Sequence, residues 1–201
     1  IELDDFHLPM LHEEAIALNC GRNALAYLIK TRNIKKIWMP YYLCDSVIKV
    51  CEKYMVKIMY YHVRNDFLPE NIENTDQEWV YIVNYYGQLT ETDLLNCKKK
   101  YKNIIIDNAQ DYFARPLEKV DTIYTCRKYF GVPDGAFLYT DQKIKQKLER
   151  DESYERIRYI LGRYERTASE FYGESVENNK HFASEPIKEM SHLTYNLLHA
   201  I

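Results

Sequence analysis

From about residue 15 to residue 140, apolar positions fall into short blocks of two alternating kinds. Compact blocks rich in Ile, Val and Tyr predict buried strands at Ala15–Asn19, KKIWMP (stopped by Pro40), VKIMYYHV, DQEWVYIVNYYGQ (ending at Gly87), NIIIDNA, DTIYTC and GAFLYTD. Between them, several segments carry helical spacing. CGRNALAYLIKT has a glycine at its entry. CDSVIKVCEKY places Val47, Ile48, Val50 and Cys51 on one face, with Asp45 or Ser46 able to cap it. TETDLLNCKKKY offers Thr90 as a cap, acids in its first turn and lysines in its last, as the helix dipole favours. Seven strands, several separated by helices, predict an α/β fold: a mostly parallel sheet with helices on both faces. GAFLYTD follows DTIYTC after a connection too short for a crossover helix, so this last strand is predicted to run antiparallel.

Past residue 140 the pattern changes. QKIKQKLERDESYERIRYILGRYER predicts a charged helical stretch, with apolar Ile157, Tyr159, Ile160 and Leu161. GESVENNKHFASEP reads as a polar loop. PIKEMSHLTYNLLHAI predicts an amphipathic helix starting at Pro186, with Ile187, Met190, Leu193, Leu197 and Leu198 on one stripe. That stripe either packs back on its own sheet or offers an association surface. The expected organisation is a large domain over residues 1–140 and a helical extension over 141–201.

Composition narrows the picture. With 46% apolar and 28% charged residues in 201, the chain is globular and long enough for a substantial core. A net charge of −3 offers no electrostatic footprint for nucleic acid. No run approaches the ~20 apolar residues that span a bilayer. The five cysteines are widely spaced, with no CxxC pair, so neither a metal site nor a disulfide framework is expected, and a cytoplasmic location is. The 19 tyrosines are unusual, and amphipathic packing is their plainest explanation.

Candidate chemistry gathers at strand ends. IIIDNAQ delivers Asp107 and DTIYTC delivers Lys128. An acid and a lysine at neighbouring strand ends can grip the two reactive poles of pyridoxal phosphate: the lysine amine condenses with the aldehyde, and the carboxylate keeps the ring nitrogen protonated. On these two residues alone, a surface lysine and a turn aspartate would be the simpler reading. Gly21, however, also falls just beyond a strand end, where a glycine at a helix N-terminus makes an anion site. Ligands of such sheets sit outside the carboxyl ends of the parallel strands.

The segments NCGRNAL, MPYYLCDSV, YIVNYYGQ, IIIDNAQ and TCRKYFGVPDGAFL occur in the order and approximate spacing of DegT-like sugar aminotransferases, and residues 15–140 resemble that family. The resemblance implies the aspartate-aminotransferase large domain, fold type I, with pyridoxal 5'-phosphate as cofactor. Lys128 matches the cofactor-linking lysine, Asp107 the acid on the pyridine nitrogen and Gln110 a glutamine near the ring. Gly21 and Arg22 stand where a Gly-Thr pair holds the phosphate, and Thr125 stands where relatives carry a phosphate-binding serine. Tyr42 is the candidate to cover the ring face. Asn84 either reaches the cofactor or, more simply, caps its strand. The implied reaction moves an amino group from an amino acid, typically glutamate, to a keto group of a nucleotide-linked sugar; some relatives with histidine for the lysine are dehydratases. Homodimers are expected, as is a chain that stops before the family's small C-terminal domain. Arginine at position 22 departs from the family's small hydroxyl residue. Two further readings stay open: a non-catalytic or regulatory chain that keeps the fold, and an unrelated Rossmann-like nucleotide-binding domain, which the lack of GxGxxG disfavours.

Overall fold

The computed structural model describes residues 8–73 and 75–200; Ile201, the end of the expected last helix, lies outside them. Seven strands form one sheet: β1 (Ile16–Leu18), β2 (Lys36–Pro40), β3 (Lys57–Tyr61), β4 (Trp79–Val83), β5 (Asn103–Asp107), β6 (Asp121–Thr125) and β7 (Ala136–Tyr139). Their order is β1-β7-β6-β5-β4-β2-β3. The five from β6 to β3 are parallel, and β7 runs antiparallel to both its neighbours, β6 and β1. The short connection before GAFLYTD has the predicted consequence.

Period-two alternation divides the core between the two faces. Ile105 packs with Ile37, Met39, Ile123 and Leu138 beneath α1 (Gly21–Thr31) and α2 (Asp45–Lys53). Its neighbours Ile104 and Ile106 point the other way, joining Val80, Ile82, Leu94, Cys97 and Tyr101 under α3 (Glu91–Lys100). Thr90 caps α3 in a reciprocal box with Asp93. Helix α2 differs from expectation: its cap position is Cys44, and Asp45 and Ser46 lie inside the first turn. Helix α1 has no side-chain cap either, which leaves its first backbone N–H groups free for a ligand.

The C-terminal region departs most from the sequence pattern. Residues 142–150 form no helix, and the stretch after them holds only short turns and the four-residue α4 (Arg158–Leu161). Ion pairs from Arg150 to Glu189 and from Arg158 to Glu174 tie it to later segments, and Arg156 pairs with Asp151 inside it. The segment expected as a loop is instead α5 (Tyr172–Ser184), which buries Asn178 and Phe182. The last helix, α6 (His192–His199), starts later than Pro186. Residues before it run extended because Glu189 bridges Leu18 and Arg150 and the Met190 N–H donates to the Ala17 carbonyl. Ile187, Met190 and Leu198 are buried, while Leu193 and Leu197 are half-buried, so the apolar stripe packs back on its own sheet. No described helix is long and apolar enough to cross a membrane.

Candidate cofactor cleft

The carboxyl ends of β4, β5 and β6 open into a cleft of about 640 Å³ between α1, α2 and α5. Seven positions singled out in the sequence line it: Gly21, Arg22, Tyr42, Asp107, Gln110, Thr125 and Lys128. Asn84 does not. It is buried, receives the Leu89 N–H and donates to Asn108 and Asp111, which makes it the organiser of the turn after β4.

Asp107 ends β5 with its side chain enclosed. One oxygen accepts the Tyr81 hydroxyl at 2.8 Å and the other the Ala109 N–H at 2.8 Å. Burial pushes its carboxyl pKa up; those two hydrogen bonds and the charge of Lys128 pull the other way. Among the described residues no cation stands in an ion pair with it. An enclosed carboxylate held by neutral donors is costly unless a positive group meets it. A protonated ring nitrogen is such a group.

Lys128 is exposed to the cleft and makes no hydrogen bond or ion pair with a described residue. It acts on Asp107 through its charge without an ion pair, and the two line the same cleft. Tyr42 stands at the mouth, 66% exposed, stacked on Tyr85 with ring centroids 5.5 Å apart, its hydroxyl 3.4 Å from that of Tyr86. Gln110 accepts the Tyr86 N–H at 3.1 Å, which supports Tyr86 in its left-handed backbone conformation (φ 54°).

The opposite end of the cleft is cationic. Gly21 opens α1 so close to β6 that a Cβ would lie 3.1 Å from Thr125 Cγ2. Thr125 is thereby seated beside the uncapped helix terminus. Arg22 and Arg127 flank it, and neither pairs with a carboxylate among the described residues. Burial, followed by the charge of Arg127, lowers the proton affinity of Arg22, while Cys20 and Cys44 offset this in part. An uncapped helix N-terminus, a hydroxyl and two unpaired guanidiniums fit a phosphate.

Three contributors were missed in the sequence. Tyr81 lies two residues before Val83, which pairs with Asp107, so its face was available from strand register. Arg127 adjoins Lys128 and its charge was a visible signal. Asn179 sits on α5 and had none, because that segment read as a loop.

No family model matches the sequence, and no curated protein matches it significantly. Solved structures do. NtdA from Bacillus subtilis, with bound PMP, superposes with a TM-score of 0.54 at 17% identity over 64% of this chain and 33% of its own. L-threonine-O-3-phosphate decarboxylase from Porphyromonas gingivalis gives 0.51 at 14% identity, covering 63% and 44%. A protein from Streptococcus pneumoniae assigned as a sugar aminotransferase, in its PLP form, gives 0.51 at 13% identity, covering 65% and 43%. The chain thus has the α/β fold implied by the resemblance and spans between a third and a half of the length of these proteins. A decarboxylase among them shows that the fold leaves the reaction open.

Proposed function

We propose that this chain is the cofactor-binding part of a pyridoxal-phosphate-dependent aminotransferase acting on an amino acid donor, glutamate in the first instance, and a keto group of a nucleotide-linked sugar. The observation that carries the reading is Asp107: an enclosed carboxylate with no ion-pair partner among the described residues, lining one cleft with a lysine and a cationic far end. Bound there, the cofactor would supply an aldehyde for covalent attachment and a ring that accepts electrons. Lys128 would hold the aldehyde end and, once released by an amine substrate, carry a proton on Nζ. Asp107 would keep the proton on the ring nitrogen. Gly21, Arg22 and Thr125 would hold the phosphate, Gln110 would lie beside the ring and Tyr42 would cover its face. Under this reading residues 1–140 form the cofactor-binding layer and 141–201 begin a C-terminal region, in a cytoplasmic homodimer. Its five unbonded cysteines agree with a reducing compartment.

A second reading, a non-catalytic or regulatory chain that keeps the cofactor fold, differs from the first in turnover. One experiment separates outcomes. The purified protein is mixed with pyridoxal phosphate, its visible absorbance recorded, and the adduct reduced with borohydride and mapped. Label on Lys128 is expected. Label elsewhere, with none on Lys128, overturns the cofactor assignment; label without turnover on any amine donor supports the second reading. Light scattering tests the assembly, and a 24.1 kDa monomer that takes up cofactor would contradict the dimer.

A further inference from the structure

Helix α5 meets the cationic end of the cleft through an unusual arrangement. Its Asn179 accepts from both unpaired arginines: the main-chain oxygen from Arg22 Nη1 at 3.1 Å, and Oδ1 from Arg127 Nη2 at 2.9 Å. One turn on, Phe182 is buried beneath three guanidiniums, with Arg22, Arg127 and Arg156 at 5.9, 5.2 and 5.0 Å from its ring centroid. Arg156 is neutralised by Asp151 at 2.8 Å. Among the described residues Arg22 and Arg127 have no such partner, and the enclosed Nε of Arg127 has no hydrogen-bond acceptor. Away from the cleft, α5 is anchored by its two buried residues, Phe182 and Asn178, the latter donating to the Pro133 carbonyl and the Tyr159 hydroxyl and accepting from Arg156. Its cleft side rests on two like charges that repel each other and lack a counter-ion among the described residues.

We propose that α5 is a clamp whose closure is coupled to anion binding: a phosphate monoester held by the α1 N-terminus, Arg22 and Arg127 fastens residues 172–184 over the cleft through Asn179 and Phe182. Arg127 is then a binding residue for the anion, and Asn179 a positioning residue that aligns the two guanidiniums. The dianion cancels the repulsion on which α5 sits and supplies the acceptor that Arg127 lacks. By reciprocity, whatever the anion gains from a docked α5, the helix gains from the anion. That the phosphate belongs to a phosphorylated cofactor rests on the function proposed above; the clamp does not.

Hydrogen exchange on the whole chain, with and without millimolar inorganic phosphate, tests it. Phosphate is expected to slow exchange across 172–184 by about fivefold or more, leaving α3 on the opposite face unchanged. Arg127→Gln and Asn179→Ala should each shrink that ratio. A purely structural Asn179 would instead raise exchange equally with and without phosphate and leave the ratio intact. The proposal is overturned by an unchanged ratio in both variants, or by no phosphate effect on 172–184 in the parent protein. Phosphate protection without cofactor label on Lys128 would support the clamp and overturn the cofactor reading. Label on Lys128 without protection of α5 would do the reverse.

Discussion

Asp107 sets two demands against each other. Burial raises its pKa above the ordinary 3.8, so the folded chain binds that proton more tightly than the unfolded chain. The group contributes most to stability below the unfolded value, and the contribution is lost as pH rises through the folded one. At neutral pH the cofactor-free protein therefore carries a destabilised carboxylate, and a bound cation relieves it. Asp107→Asn removes the conflict: its one amide oxygen can still accept the Ala109 N–H, and its Nδ2 can donate to the Tyr81 oxygen. Without cofactor, it should melt at the same temperature as the parent or higher, as calorimetry would read. In a form of the protein that turns over, the variant should still take up cofactor but lose activity by ~100-fold or more, because the group that keeps the ring protonated is gone. A lower melting temperature together with normal turnover would contradict both halves. Asp107, Lys128 and Gly21 were legible in the sequence because each follows an apolar strand. Tyr81 needed strand register, and Asn179 needed a helix that only tertiary contacts create.

At the scale of elements, the buried Asp134 in the motif GVPDG holds the end of the chain in place. It accepts the Ser191 N–H at 2.9 Å, the Ser191 hydroxyl at 2.7 Å and the Thr194 hydroxyl, while Ser191 caps α6 by accepting the Thr194 N–H. Asp134→Ala would strand these donors in a dry site and should cost roughly 2–4 kcal/mol. Urea unfolding would show a lower midpoint with an unchanged slope, and a loss below about 1 kcal/mol would mean that α6 is held by packing alone. The central sheet was readable because its strands are uniformly apolar and its crossovers carry helical periodicity. The C-terminal region was not. In its charged run over 142–166, Arg150 and Arg158 pair with distant Glu189 and Glu174, and α5 is polar on most of its surface, with Phe182 and Asn178 its buried anchors. Local pattern is a weak guide where a few distant contacts decide the conformation.

Across the whole molecule, the described N-terminal segment is tied down by histidines at two far-apart places. His199 Nδ1 lies 2.7 Å from the Leu8 carbonyl oxygen, on the last helix. His12 is buried among Tyr112, Tyr124, Phe137 and Tyr139, with Nε2 2.7 Å from the Tyr112 carbonyl oxygen and Nδ1 3.0 Å from the Tyr139 hydroxyl. A carbonyl can only accept, so Nε2 carries the proton and Nδ1 takes the tyrosine's. Burial lowers the pKa of His12 below 6.5, with the Tyr112 bond opposing. Above pH 6.5 both folded and unfolded chains keep this ring neutral, and the group costs nothing. As pH falls below that value the unfolded chain accepts a proton that the folded chain resists, so stability declines. Carboxylates with lowered pKa, such as Asp66 and Glu78, act in the same direction only near their unfolded values of 3.8 and 4.5. Asp107, with its raised pKa, works in the opposite direction, so the His12 contribution between about pH 6.5 and 5 is read as the difference between the parent and a His12 variant. Thermal unfolding across that interval should show a melting temperature that falls further in the parent than in His12→Gln, which can still donate to Tyr112 but cannot take up a proton. Parallel profiles would mean that the aromatic cluster tolerates the charged ring, and that acid does not release residues 8–15 from the sheet.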